Sequence, residues 1–437
     1  MKYYSTNNPA ASPVTLEEAV VRSLAGDRGL YMPAHIPVLD KQIIRSLGDM
    51  SFHETAGLAA QALFGEDVDR DALTAIVEDT LSFETPVVHV HDSIYSLELF
   101  HGPTLAFKDV GARFMARLLA RMIRRRGIDR VVHVLVATSG DTGSAVANGF
   151  LGVEGIRVLV LYPGGKVSPI QECQFTTLGR NITALEIDGT FDDCQALVKD
   201  AFADDDLNAR MQLTSANSIN VARFLPQSFY YFDACAQLCR AGKAGELIVC
   251  VPSGNFGNLA AGLVAARMGL PVKHFIAANN RNRIFVDYLK TGKYVPRPST
   301  PTIANAMDVG HPSNFARIMD LYAHDRDALS RFVSGYAYDD DEIARTMQRV
   351  FRDCGYLLDP HGACGYQALN DFRLAPHQTG LFLETAHPAK FKQTVDRILG
   401  GNIDIPPRLQ AFMHGRKQSI PLGPDFAGFK AFLMENA

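Results

Sequence analysis

The chain has 437 residues, of which 47% are hydrophobic and 21% charged, and its formal net charge is −4. That length predicts two or three domains around a large core, and the near-balanced charge gives no support to binding of nucleic acid or anionic membrane. No window reaches the roughly eighteen apolar residues of a membrane span. The start MKYYSTNNPA lacks the basic and apolar regions of a secretory signal.

The seven cysteines include no C-x-x-C pair and no metal-ligand spacing, which suits reduced thiols in a cytoplasm and no metal. In chain order, residues 1–84 carry amphipathic helical stretches at Leu16–Leu24, Lys41–Leu47, Phe52–Phe64 and Asp71–Leu81, and are expected to form a mostly helical N-terminal domain. Val87–Leu99 reads as strand material broken by a turn at Asp92-Ser93. From there the pattern alternates. Lys108–Arg126 is a helix, its basic end suited to a helix C-terminus before Gly127. Val131–Val136 is a strand, followed by a helix from Ser144, and Arg157–Leu161 a strand. Asn181–Ile187 is a strand and Phe191–Phe202 a helix. Leu247–Val251 is a strand followed by a helix over Leu259–Met268. Continuous apolar strands alternating with helices predict an α/β unit over residues 85–437, with parallel sheets covered on both faces. Ligands of such sheets bind in the loops beyond the strand carboxyl ends.

Three loop regions carry the chemistry. In Leu99-Phe100-His101-Gly102-Pro103-Thr104-Leu105-Ala106-Phe107-Lys108-Asp109, one lysine sits at a helix start behind an aromatic residue. The helix dipole and partial burial both disfavour its ammonium form, as a Schiff-base lysine requires. The plain alternative is a surface lysine. Ser253-Gly254-Asn255-Phe256-Gly257-Asn258 links a strand to a small-residue helix. Its glycines let successive N–H groups converge on an anion, and it lacks both the dinucleotide fingerprint and the nucleotide P-loop. The alternative is a turn that serves packing. Thr138-Ser139-Gly140-Asp141-Thr142-Gly143-Ser144 could hold a carboxylate with its hydroxyl and N–H groups, with Thr142 or Ser144 as the helix N-cap.

In this order and spacing, Lys108, the Thr138–Gly143 loop and the Gly254–Asn258 loop resemble the fold-type-II, tryptophan-synthase-β-like family of pyridoxal phosphate enzymes. Within it the chain resembles the threonine synthase family in its longer form. Supporting stretches run along nearly the whole chain: Asp27–Tyr31, Leu97–Thr104, Asn217–Asn220 with Ala222-Arg223, Met307–Val309, Pro312–Phe315 and Thr385–Phe391. The resemblance implies a two-lobed catalytic unit, with a small lobe of about residues 112–225 and the cofactor between the lobes. It implies conversion of O-phospho-L-homoserine and water to L-threonine and phosphate, by γ-elimination and β-addition of water. Pyridoxal 5′-phosphate would be carried by Lys108, which also shuttles protons. Gly254, Asn255, Phe256, Gly257 and Asn258 would hold its phosphate, and Thr385 would meet its pyridine nitrogen. Ser139, Gly140, Asp141 and Thr142 would take the substrate carboxylate. Asn217, Ser218 and Arg223 would take the substrate phosphate. Many fold-type-II relatives have Asn at the place of Asp141, so an anion there needs a neutralising partner. His387 is open between a catalytic and a structural role. Lys166, Ser168, Gln171 and the Asp359-Pro360-His361-Gly362 turn are read as possible cleft walls with no assigned role.

The nearest rivals are a phospho-amino-acid lyase and a serine/threonine dehydratase of the same fold, which differ in product. A non-catalytic binding protein would have no need of Lys108. The expected partner is a small-molecule substrate, and the expected state is a cytoplasmic monomer or homodimer.

Overall fold

The computed structural model describes residues 1–127 and 130–436. The strands, in chain order, are β1 (Lys2–Ser5), β2 (Val14–Thr15), β3 (Tyr31–Pro33), β4 (Val87–His91), β5 (Ile94–Glu98), β6 (Val132–Ala137), β7 (Ile156–Pro163), β8 (Ile182–Ile187), β9 (Gln212–Ser215), β10 (Glu246–Pro252), β11 (Val272–Asn279), β12 (Val333–Ala337), β13 (Gln378–Glu384) and β14 (Ile420–Leu422).

The N-terminal stretch holds the helices Leu16–Arg22, Phe52–Phe64 and Arg70–Thr80. It also holds an antiparallel sheet ordered β2-β1-β3, which the helical periodicity of its neighbours did not announce. Ser51 and Glu54 form a reciprocal capping box that fixes the start of the Phe52–Phe64 helix. Phe64 lies 5.0 Å, ring to ring, from Phe114 of the Lys108–Arg126 helix, so this region shares its core with the lysine helix. Gly127, at φ +59, terminates that helix in the left-handed region that a glycine adopts without steric cost.

The larger α/β sheet runs β12-β11-β10-β13-β5-β4, parallel except for the β4–β5 hairpin. The smaller runs β14-β8-β7-β6-β9 and is parallel throughout. Every residue of β6 is buried, as a strand covered on both faces must be. After β13 the chain returns to the smaller sheet. β14 pairs with β8, and Phe429 and Leu433 of the last helix pack against Cys194 and Leu197. Among the described residues no helix is long and apolar enough to cross a membrane.

Strand order builds the site. β10, β13 and β5 are parallel neighbours with Cys250 beside Phe382 and Glu384 beside Glu98. Their exit loops, leading to Gly254, Thr385 and Lys108, therefore open at the same edge. β6 and β9 of the smaller sheet deliver the Thr138 loop and the Asn217 segment.

Candidate active site

Lys108 is the first residue of its helix, and the loop leading to it is stitched to the end of β13. Phe107 donates its N–H to the Thr385 carbonyl at 2.9 Å, and His387 donates to the Leu105 carbonyl at 3.0 Å. Tyr230 donates to the Phe107 carbonyl. Asp109, buried, accepts from the Thr104 hydroxyl at 2.6 Å and from its N–H at 2.9 Å, while burial raises its carboxyl above the usual range. The lysine amine lies 5.5 Å from the Phe107 ring centroid, and the residue as a whole is half-buried. Burial pushes it down to about 8. Asp141 opposes that shift, and Lys390 and Arg223 reinforce it. The expectation of a depressed lysine is met, with burial as the leading cause.

The glycine loop begins at Ser253, whose carbonyl accepts from Asn279 Nδ2 at 2.6 Å. A Cβ on Gly254 would stand 2.7 Å from Met307 Cα and 2.8 Å from the Ala306 carbonyl oxygen, so only glycine fits. Asn255 is held on all sides. Its Oδ1 accepts from Ser313 N–H (2.7 Å) and hydroxyl (2.8 Å), its Nδ2 donates to Ser218 Oγ (3.2 Å), and its carbonyl accepts from Asn314 Nδ2 (3.0 Å). Phe256 takes φ +60 and packs on Phe285 at 4.7 Å. The helix then starts at Gly257. Tyr231 donates to Asn258 Oδ1 at 2.5 Å, and Asn258 Nδ2 is buried without a partner among the described residues. No described residue accepts from the N–H groups of Phe256, Gly257 or Asn258 either. Orphaned donors around a turn at a helix N-terminus fit a phosphate monoester such as that of pyridoxal phosphate.

In the Ser/Thr/Gly loop the helix begins at Asp141, with Gly140 at the N-cap (φ +140) and no side-chain cap. Neither Thr142 nor Ser144 caps it, which corrects the sequence reading. The Thr138 hydroxyl does the work from the strand end, accepting from Gly140 N–H (2.9 Å) and Gly143 N–H (2.7 Å). Ser144 instead donates back to the Gly140 and Gln171 carbonyls. Ser139 and Thr142 stay partly exposed. Asp141 is buried. Its Oδ1 lies 2.6 Å from Lys390 Nζ and accepts from Gln171 Nε2 at 2.8 Å. Burial alone would raise this carboxyl, but Lys390, Lys108 and Gln171 together hold it well below the usual range. The neutralising partner that the sequence reading required is thus Lys390.

The 217–223 segment is divided among three places. Asn217 Nδ2 donates to the Ala137 carbonyl (2.9 Å) and its Oδ1 accepts from Ala137 N–H (3.3 Å), tying the exit of β9 to β6. Ser218 Oγ joins the glycine loop through Asn255 and Asn314. Arg223 is buried, donates from Nη1 to the Lys108 carbonyl at 3.1 Å, and has an unpartnered Nε among the described residues. Burial lowers its guanidinium to about 10, against Tyr230 and Asp109.

Several residues around the site carried no sequence-level role. Lys390 lies within the Thr385–Phe391 stretch, where its burial leaves no periodic signal. Gln171 was read as a cleft wall and in fact touches Asp141. Arg317 is fully buried and stacked at 4.0 Å over Phe224. It donates to the Ser218 and Ile219 carbonyls, to Asn314 Oδ1 and to the Tyr31 carbonyl of β3. His387 Nδ1 accepts from Ala389 N–H at 3.1 Å, and burial lowers its imidazole to about 4. In the Asp359–Gly362 turn, Asp359 contacts His361 Nδ1 at 2.5 Å and donates its N–H to Glu384 at 2.8 Å. Burial, with Asp359 alongside, pushes the Glu384 carboxyl well above the usual range.

The chain resembles known proteins along its whole length. Residues 81–381 match the model of the pyridoxal-phosphate dependent enzymes. Residues 2–81 match that of the threonine synthase N terminus, and residues 362–433 that of the threonine synthase C-terminal region. The chain is 44% identical to threonine synthase of Haemophilus influenzae over the whole of both chains, and 43% identical to that of Escherichia coli over 97% of each. Its structure superimposes on the crystal structure of the E. coli enzyme with a TM-score of 0.93 (42% identity, all of both chains). For the pyridoxal-phosphate-bound threonine synthase of Brucella melitensis the TM-score is 0.91 (33% identity, 100% and 99% of the two chains). The chain belongs to the threonine synthase family of pyridoxal-phosphate-dependent enzymes.

Proposed function

We propose that this chain converts O-phospho-L-homoserine and water to L-threonine and phosphate, using Lys108 as the cofactor-bearing residue. The observation that carries the assignment is the position of Lys108. Its amine is depressed by burial, at a helix start bonded to the end of β13 and beside a glycine loop with orphaned donors. Bound pyridoxal phosphate supplies an electron sink for the carbon bearing the amino group.

The protein's residues do the rest. The Gly254–Asn258 backbone and Asn258 Nδ2 would hold the cofactor phosphate, and the Thr385 hydroxyl would serve the pyridine nitrogen as a neutral partner. Lys108, whose amine burial makes easier to deprotonate, shuttles protons at the α and β carbons. Ser139, Gly140 and Thr142 hold the substrate carboxylate with hydroxyl and N–H donors, and Asp141 reaches that loop already neutralised. Arg223 supplies the charged donors for the substrate phosphate, with Asn217 and Ser218 shaping the wall beside it. The γ-carbon–oxygen bond breaks and phosphate leaves with the electron pair. The proton lost from the β carbon is balanced by one gained at the γ carbon, which becomes the methyl group, while the hydroxyl of water ends on the β carbon and its other proton on the released phosphate. Closing of the small lobe, about residues 112–225, keeps water out until phosphate has left. Residues 1–84 form a supporting N-terminal domain that packs on the lysine helix in this reading. The enzyme works on a small molecule as a monomer or homodimer, in the cytoplasm, a compartment that its seven free thiols support.

The test is product analysis with purified enzyme and O-phospho-L-homoserine. Threonine and phosphate in equal amounts are expected. A product of 2-oxobutanoate and ammonia in place of threonine would mark a dehydratase or lyase and overturn the assignment.

A further inference from the structure

We propose that Lys390 and Asp141 form a buried charge clasp that fastens the small lobe over Lys108, balances the charge felt by that lysine and leaves the Ser139–Thr142 loop with no net negative charge. The pair is closed from water, with side chains 0% and 3% exposed and 2.6 Å between Nζ and Oδ1. Lys390 joins four parts of the site. Its ammonium reaches Asp141 at the start of the Asp141–Phe150 helix and donates to the Thr104 carbonyl (2.8 Å) in the loop that leads to Lys108. Its own carbonyl accepts from Ser168 (3.2 Å), the cap of the Pro169–Thr176 helix, and its backbone lies just beyond β13. The clasp therefore connects the exit of the large sheet with two helices of the smaller lobe.

Stability is a poor reason for such a pair, because desolvating two charges offsets most of their attraction. Position is the better reason. The two charges act on Lys108 with opposite sign, Asp141 favouring its protonated form and Lys390 disfavouring it, with Arg223 acting in the same sense as Lys390. Lys390 also faces Asp109, Cys173 and His387, none of which stands in salt-bridge contact with it among the described residues. Removing one member of the pair exposes Lys108 and the loop to the other. An unopposed Asp141 would also repel a carboxylate ligand of that loop. Lys390 is thus a positioning residue.

The inference rests on Lys108 being the cofactor's lysine, so a portion of each holoenzyme is reduced with borohydride and the modified lysine mapped, while the unreduced remainder is kept for the measurements. The pH midpoint of the visible cofactor band is then measured for Asp141→Asn, Lys390→Gln and the double variant, along with kcat and KM for O-phospho-L-homoserine. Asp141→Asn should lower the midpoint and Lys390→Gln raise it, each by about one pH unit, with the double variant close to the parent. Lys390→Gln should raise KM more than it lowers kcat. With the cofactor on Lys108, midpoints that do not move, or that move in one direction in both single variants, overturn the clasp. A pair that served only folding would lower Tm and leave the midpoints alone. If Lys390→Gln does not fold, the near-isosteric Asp141→Asn decides by itself. A cofactor fixed to another lysine would overturn the Lys108 reading and the clasp with it.

Discussion

Arg223 donates from Nη1 to the backbone carbonyl of Lys108 at 3.1 Å, so a buried guanidinium and the lysine at the helix start share one wall of the cleft. The contact is close because Gly111 allows it. A Cβ there would stand 2.4 Å from the Arg223 carbonyl oxygen. No carboxylate forms a salt bridge with Arg223 among the described residues, and its Nε is orphaned, as suits a cation waiting for an anionic ligand.

Arg223→Ala should lower kcat/KM for O-phospho-L-homoserine by about 10- to 150-fold, the equivalent of about 1.5–3 kcal/mol for a charged hydrogen bond. The visible cofactor spectrum should survive. Loss of the cofactor in this variant would assign Arg223 to the lysine helix instead of to the leaving phosphate.

Lys108→Ala should abolish both the visible band and turnover, because one amine performs the covalent and proton-transfer roles. Absorbance and a product assay on the purified variant check this. A variant that kept its band would refute the attachment.

The rate at which cofactor-free protein takes up pyridoxal phosphate should rise with pH around a midpoint of about 8, the value to which burial lowers Lys108. The sign follows from the chemistry. Only the neutral amine attacks an aldehyde, and as pH falls through that value the lysine is protonated. A midpoint near the ordinary lysine value would show that Lys108 is not depressed.

Gly254→Ala places a methyl 2.7 Å from Met307 Cα, where backbone and not a flexible side chain must give way. Overpacking of this kind costs about 1–3 kcal/mol, and here it falls on the loop that cradles the phosphate. Cofactor affinity, read by equilibrium dialysis, should drop by about 5- to 150-fold. An unchanged affinity in a folded variant would remove the loop from the phosphate site.

Arg317→Ala should lower Tm and weaken cofactor binding together. The guanidinium holds Ser218, Ile219 and Asn314 beside the glycine loop and reaches Tyr31 in the N-terminal sheet. Removing it leaves several buried acceptors unmet, at about 1–3 kcal/mol each before relaxation. Calorimetry with and without pyridoxal phosphate separates the two effects, and a lower Tm with full cofactor affinity would confine Arg317 to folding.

The amino-acid sequence by itself determined the alternation of apolar strands and helices, the helix over Lys108–Arg126, and the three loops proposed to bear the chemistry. These are local properties. Periodicity, a glycine after a strand and a lysine at a helix start are all visible within a dozen residues. Tertiary structure decided which side chains meet. Asp141 finds its neutralising cation in Lys390 because β13 and the Asp141–Phe150 helix converge at the cleft. Asn217 ties β9 to β6, while Ser218 in the next position turns to the glycine loop. The short strands β1, β2 and β14 pair only where distant partners are brought to them. A short strand carries too few residues for a period to declare itself, and a polar side chain does not encode its partner. Strand order in the two parallel sheets sets both, through packing that no local stretch of chain contains.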